Sequence, residues 1–234
     1  MSPSDRGIRR VATAGVLLAI TLLLVFTRIG MIPVPTPAGN ATIAHIPAII
    51  GGVLEGPLVA VIVGLGFGFA SFANATIPMF KDPLVAIVPR LFIGLTASWV
   101  YMATRKATKP VLAVLLALLL GLMLLFSWQM GRTILWLGIV WGALSVVGAA
   151  LLAWWMRRED VQVVVLGIAA AVGSLTNTVL VLSAAVLRGY IPKEAAWGIG
   201  LTHGIPEVIV AGIVTVGVVA ALRQVGGRRR RAKL

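Results

Sequence analysis

The chain has 234 residues, 59% of them hydrophobic and 12% charged, with a formal net charge of +13. A soluble domain runs nearer roughly 45–50% apolar and 25% charged, so this composition, with a mean hydropathy of +1.04, excludes a water-soluble fold. It leaves an all-α polytopic membrane protein: one transmembrane domain, residues 1–234, built as a helical bundle. The absence of cysteine excludes disulfides and thiolate chemistry, and the positive charge reads as cations gathered in cytoplasmic loops, with no nucleic-acid partner.

Proline, glycine and charge divide the chain into eight expected helices, at about 8–27, 43–55, 57–73, 84–104, 110–127, 133–156, 161–187 and 196–222. The first carries Arg9-Arg10 at its start. Its apolar run, Val11 to Phe26, is longer than a signal-peptide core and has no prompt small-x-small cleavage site, so it reads as a retained helix. Gly15 and Ala19 form a small-xxx-small pair on one face of it, suited either to packing within the chain or to docking a partner's helix. The loop from Gly30 to Ala44 carries three prolines and two glycines, which suits a semi-rigid lid or a plain connector.

Asn40-Ala-Thr42 and Asn74-Ala-Thr76 match glycosylation sequons, which carry meaning only in a host that glycosylates. The second and third helices are short and meet at Glu55-Gly56-Pro57. They are expected to be tilted or partly re-entrant, with protein covering their ends. Gly64, Gly66 and Gly68 follow no strand, so they read as helix-packing positions rather than a phosphate loop. An apolar hairpin, about 108–158, contains Trp128, Trp136, Trp141, Trp154 and Trp155, several at interfacial levels. The basic tail, 223–234, is placed to touch anionic membrane lipid.

Orientation follows from the cations. With the N-terminus inside, fourteen Lys and Arg fall on the cytoplasmic side, five on the other, and Arg90 within a span. Both termini are therefore expected in the cytoplasm of a bacterial cell, with an even number of crossings. Eight fits the pattern, and six fits if two hairpins are misread.

Four polar side chains, Arg90, Asn177, His203 and Glu207, stand inside apolar runs. A charge at the centre of a span costs about 2.5–3.5 kcal/mol on insertion scales, and such residues usually face a bundle interior or a substrate path. In the expected topology all four lie in the outer half or near the midplane, converging on one cavity open to the outside. Arg90 could grip a carboxylate or phosphate bidentately, or pair structurally with Glu207 or Asp82. Asn177 shares its turn with Thr176 and Thr178, where the polar groups could serve a neighbouring helix or a ligand.

His203 and Glu207, four residues apart, share a face, but no HExxH and no third ligand accompany them, and His45 is the only other histidine. No metal site is expected. No nucleophile elbow, paired acids or nucleotide loop is present, so no catalytic residue is assigned.

Five stretches in order carry a resemblance: His45-Ile-Pro-Ala-Ile-Ile-Gly; Gly56-Pro57 with its glycine-rich helix; Asp82 to Gly94, with Pro-Arg90 inside it; Gly173-Ser-Leu-Thr-Asn177-Thr178 through Leu182; and His203-Gly-Ile-Pro-Glu207. Together they resemble the substrate-binding S components of energy-coupling-factor (ECF) vitamin transporters. The resemblance implies a membrane subunit that captures a water-soluble vitamin outside, without enzyme activity or cofactor. It would pass the vitamin inward through an ECF transmembrane subunit driven by two ATPase subunits.

The resemblance also implies that Arg90, Asn177 and Glu207 lie near the ligand and that Gly15 and Ala19 dock on the transmembrane partner. The full candidate binding set is Arg90, Asn177, Glu207, His203, Thr176, Asn40, His45 and Asn74, with pantothenate the first choice of vitamin, and folate, riboflavin and cobalamin open. Such components usually have six helices, so the core is expected at 8–104 and 161–222, with the hairpin as an addition. The alternative function is an autonomous secondary carrier moving protons through Glu207 and His203.

Overall fold

The computed structural model of the chain describes residues 3–32, 40–132, 134–158 and 161–231. Among them the elements run α1 (Pro3–Phe26), β1 (Met31–Ile32), β2 (Ala41–Thr42), α2 (Ile46–Glu55) and α3 (Pro57–Ala73). After a 3-10 turn (Pro78–Lys81) come α4 (Pro83–Ala86), α5 (Val88–Thr104), α6 (Lys109–Gly131), α7 (Leu135–Arg157), α8 (Val161–Leu187) and α9 (Lys193–Arg231). Six helical stretches are long and apolar enough to cross a membrane, and α2 and α3 are shorter apolar helices.

Two departures from the sequence expectation matter. The stretch expected as one helix over 84–104 is broken at Ile87 into α4 and α5. Two residues further on, Pro89 has no N–H to give the carbonyl four residues back, and its ring crowds that turn. The loop after α1 also contains order: β1 and β2 pair antiparallel, Met31 opposite Thr42 and Ile32 opposite Ala41. The middle of the expected lid, residues 33–39, lies outside the described residues.

The ten-residue helix α2 is deeply set. Every residue of α2 from Ile46 to Val53 is buried, enclosed by α1, α3, α5, α8 and α9. Pro47 sits in its first turn, where a missing N–H costs nothing. It stops at Gly56, whose φ of +93° lies in the region that favours glycine, and Pro57 then starts α3.

Glu55, at that turn, takes an ion pair from Arg9 (3.0 Å) and a longer contact from Arg10 (4.0 Å). At the other end of α3, the Asn74 amide donates to the Val25 carbonyl (3.0 Å). α3 therefore runs from one end of α1 to the other, and α2 enters from the far end, where the Ile43 N–H donates to the Gly30 carbonyl.

Close backbone approach holds this centre together. A Cβ on Gly94 would strike the Ala48 carbonyl, and one on Gly52 would strike the Gly94 carbonyl. On α3, Gly64 and Gly68 face the backbone of Arg90 and Ile87 across the α4–α5 break, and Gly66 faces Leu18 of α1. The hairpin α6–α7 lies outside this core. Leu112 packs on Val164, Val165 and Ile168, and Met123 on Ala171, Ile205 and Val208.

The loops at one end are clamped by Asp82. Its carboxylate caps α4 by accepting the Leu84 N–H (2.9 Å) and pairs with Arg188 at the end of α8 (2.6 Å), with the Tyr190 hydroxyl at 3.4 Å.

Two predictions follow from this packing. Gly94→Val should lower the thermal midpoint in detergent, at a cost of about 1–3 kcal/mol for overpacking; Gly15→Ala, where an added Cβ meets nothing within 4 Å, should not lower it and should raise it slightly through helix propensity. The Arg188 hydrogen bond holds the Asp82 carboxyl below its usual range, helped by the Leu84 N–H. A carboxyl with a lowered folded-state pKa stabilises fully above its unfolded value of about 4 and loses that contribution as pH falls through the folded value. The clamp's contribution should therefore be constant with pH near neutrality and decline in acid, and Asp82→Ala should lower the neutral-pH thermal midpoint and flatten that decline.

Candidate functional site

At the end of the bundle that holds β1, β2 and the 3-10 turn lies a cavity of about 150 Å³. Its wall comes from the β1–β2 pair (Met31, Asn40, Thr42), from α3 and the turn after it (Phe67, Ser71, Asn74, Thr76, Phe80), and from Arg90 of α5. Both Asn-Ala-Thr triplets contribute their asparagine and their threonine to this wall.

Arg90 is placed there by its neighbour in sequence. Pro89 leaves the Val85 carbonyl without its helical donor, and Nη1 of Arg90 donates to that carbonyl. The guanidinium lies over the rings of Phe67 (4.9–5.4 Å being the range to the two ring centroids) and Phe80, a geometry that favours a planar cation. The side chain is buried, and its Nε has no hydrogen-bond partner.

The structural pairings left open by the sequence are not formed. Asp82 is engaged by Arg188, and among the described residues no ion pair joins Arg90 to Glu207. The carboxylate of Glu207 is instead occupied by the β2 strand: Oε1 accepts the Thr42 N–H at 2.7 Å, and the Thr178 hydroxyl approaches Oε2 at 3.4 Å. Glu207 thus stands one layer behind the cavity wall, fastening Thr42 to α8 and α9.

The expected convergence of four polar residues on one cavity is only partly realised, because helix rotation sends their side chains to different neighbours. Of the eight candidates, Arg90, Asn40 and Asn74 line the cavity and Glu207 supports it. Asn177 is buried with its Oδ1 unpartnered, but it does not line the cavity. Thr176 turns toward α5, 2.9 Å from the Thr96 hydroxyl. His45 ties α2 to α8 through Ser174 (3.1 Å). His203 is buried one turn before Glu207 on α9, away from the wall.

Met31, Thr42, Phe67, Ser71, Ala75, Thr76, Ile77 and Phe80 are the wall residues that sequence reasoning missed. The repeated Asn-Ala-Thr pattern was the available signal for the two threonines. Nothing in sequence spacing brings Phe67, Phe80 and Arg90 together. Among the described residues no group of three His, Asp or Glu could hold a metal ion. Gly15 and Ala19 are exposed on α1.

The family model described as "ECF transporter, substrate-specific component" matches residues 9–219. The chain belongs to this family. It is a multi-pass membrane protein and the substrate-specific subunit of an ECF importer, a binding subunit of transport rather than an enzyme. Membership implies a small-molecule substrate and interaction with ECF transmembrane and ATPase subunits. The match runs through the α6–α7 hairpin as well as the helices around the cavity. No curated protein matches the sequence significantly.

The Glu207 anchor can be tested directly. Glu207→Ala leaves the Thr42 N–H without its acceptor and should destabilise by about 1–3 kcal/mol, with faster amide exchange at Thr42. Glu207→Gln keeps an accepting oxygen and should preserve most of that protection. Equal exchange in both variants and wild type would show that the contact does not hold β2.

Proposed function

We propose that the cavity behind β1 and β2 is where this subunit captures a small, water-soluble anionic vitamin, pantothenate being the first choice. The observation that carries this reading is Arg90: a buried guanidinium at the cavity wall, set over two aromatic rings and paired with no carboxylate among the described residues. An anionic ligand would supply the missing counter-charge in a setting where bidentate recognition is strong. The amides of Asn40 and Asn74 and the hydroxyl of Thr76 add donors and acceptors suited to a hydroxylated, amide-bearing molecule.

Glu207 serves the site in this reading as the anchor of its β2 wall. Asn177, behind the wall with a free Oδ1, is a reserve contact for a ligand that reaches deeper.

The vitamin would pass inward through the ECF transmembrane subunit, powered by two ATPase subunits, with the exposed Gly15–Ala19 face of α1 as the docking surface. The cation count supports placement in a bacterial cytoplasmic membrane with both termini inside and the cavity facing outward. Glu55 at the α2–α3 turn meets the start of α1, while Asn74 after α3 and Ile43 before α2 bond to Val25 and Gly30 at its other end, which supports counting α2 and α3 as crossings and brings the total to eight.

The test is binding of radiolabelled pantothenate to the purified protein in detergent, followed by a panel of other vitamins in competition. A removed charge-assisted contact is worth about 1.5–3 kcal/mol, so Arg90→Ala should weaken binding at least about tenfold. Arg90→Lys should recover little, since an ammonium lacks the fork geometry. Failure of every vitamin to bind, or full affinity in Arg90→Ala, would overturn the reading. Proteoliposomes without any ATPase subunit should show no uptake; uptake there that a protonophore stops would favour a self-sufficient carrier instead.

A further inference from the structure

A second concavity, of about 370 Å³, lies on the hairpin α6–α7, near the turn that joins the two helices. The helices touch where Gly138 meets Gly131, so closely that a Cβ on Gly138 would strike the Gly131 backbone. Larger side chains flank this crossing. Leu124, Leu135 and Ile139 line the groove and remain exposed to the surroundings of the bundle. At its end by the turn stands Arg132, its guanidinium 5.7 Å from the ring centroid of Trp128, which is itself exposed.

The groove is therefore apolar along its length and cationic at one end, and no carboxylate pairs with Arg132 among the described residues. It belongs to two helices long and apolar enough to span a bilayer, whose outward faces lipid must cover. An exposed tryptophan beside an arginine at the end of such helices sits at headgroup level. A zwitterionic headgroup brings its own ammonium to compete for the phosphate. An anionic phosphodiester leaves its charge to the guanidinium, which binds phosphate well. We propose that this groove is a binding site for one anionic phospholipid, with its phosphate at Arg132 and an acyl chain lying between α6 and α7. The site is separate from the vitamin cavity and shares no residue with it.

The test is native mass spectrometry of the full-length protein in detergent with equimolar phosphatidylglycerol and phosphatidylcholine. Wild type should retain one phosphatidylglycerol with severalfold preference. That preference should fall to parity in Arg132→Gln and remain in Arg158→Gln, whose arginine covers Trp154 at 4.0 Å on the far end of the hairpin. Gly142→Leu, which puts a side chain into the groove, should reduce retention of both lipids. Helical content by circular dichroism should match wild type in each variant. No preference in wild type, an unchanged preference in Arg132→Gln, or equal loss in Arg158→Gln would overturn the proposal.

Discussion

Pro89 cannot donate to the Val85 carbonyl, and the guanidinium of Arg90 supplies the donor that the proline lacks. Much of this bundle follows from that exchange. It breaks a span into α4 and α5 and turns a costly charge into a capping group. It also fixes the guanidinium at the edge of a cavity instead of leaving it to search for a carboxylate. Phe67 and Phe80 then hold the plane of the cation. A lysine in the same place could cap a carbonyl but would have no plane to align.

The break needs room, and α3 provides it with glycine. Gly64 and Gly68 lie against the backbone of Arg90 and Ile87, so α3 can carry Phe67 to one side of the guanidinium and Asn74 to the cavity rim. On the far side the short helix α2 is wedged in by the same means, through Gly52 and Gly94. A ten-residue apolar helix could not span a bilayer by itself. Enclosed by five other helices, it has no need to meet lipid along its length.

The remaining wall is the part with least secondary structure, and it is secured by side chains from distant helices. Glu207 accepts the Thr42 N–H and so fastens β2 to α9, while Asp82 and Arg188 close the loop end between α4 and α8. The cavity is thus bounded by a rigid glycine-packed side and by a strand held through one buried carboxylate.

Composition and pattern by themselves determined that this is an all-α membrane protein, and the five ordered stretches pointed to the family that the model match establishes. Helix positions were legible because apolar length and proline punctuation are local properties. That Arg90 needs a special setting was legible too, since a charge in an apolar run carries an energetic cost wherever it points. Its partners were not.

Spacing along α8 and α9 placed Asn177, His203 and Glu207 at similar depths, but depth does not determine rotation. Only packing decided that Glu207 meets a backbone N–H, that Thr176 faces Thr96, and that His45 meets Ser174. The ring pair around Arg90 and the two Asn-Ala-Thr corners of the cavity come from segments far apart in the chain. Such contacts depend on how closely glycines let helices approach, and that is a property of the assembled bundle rather than of any one stretch.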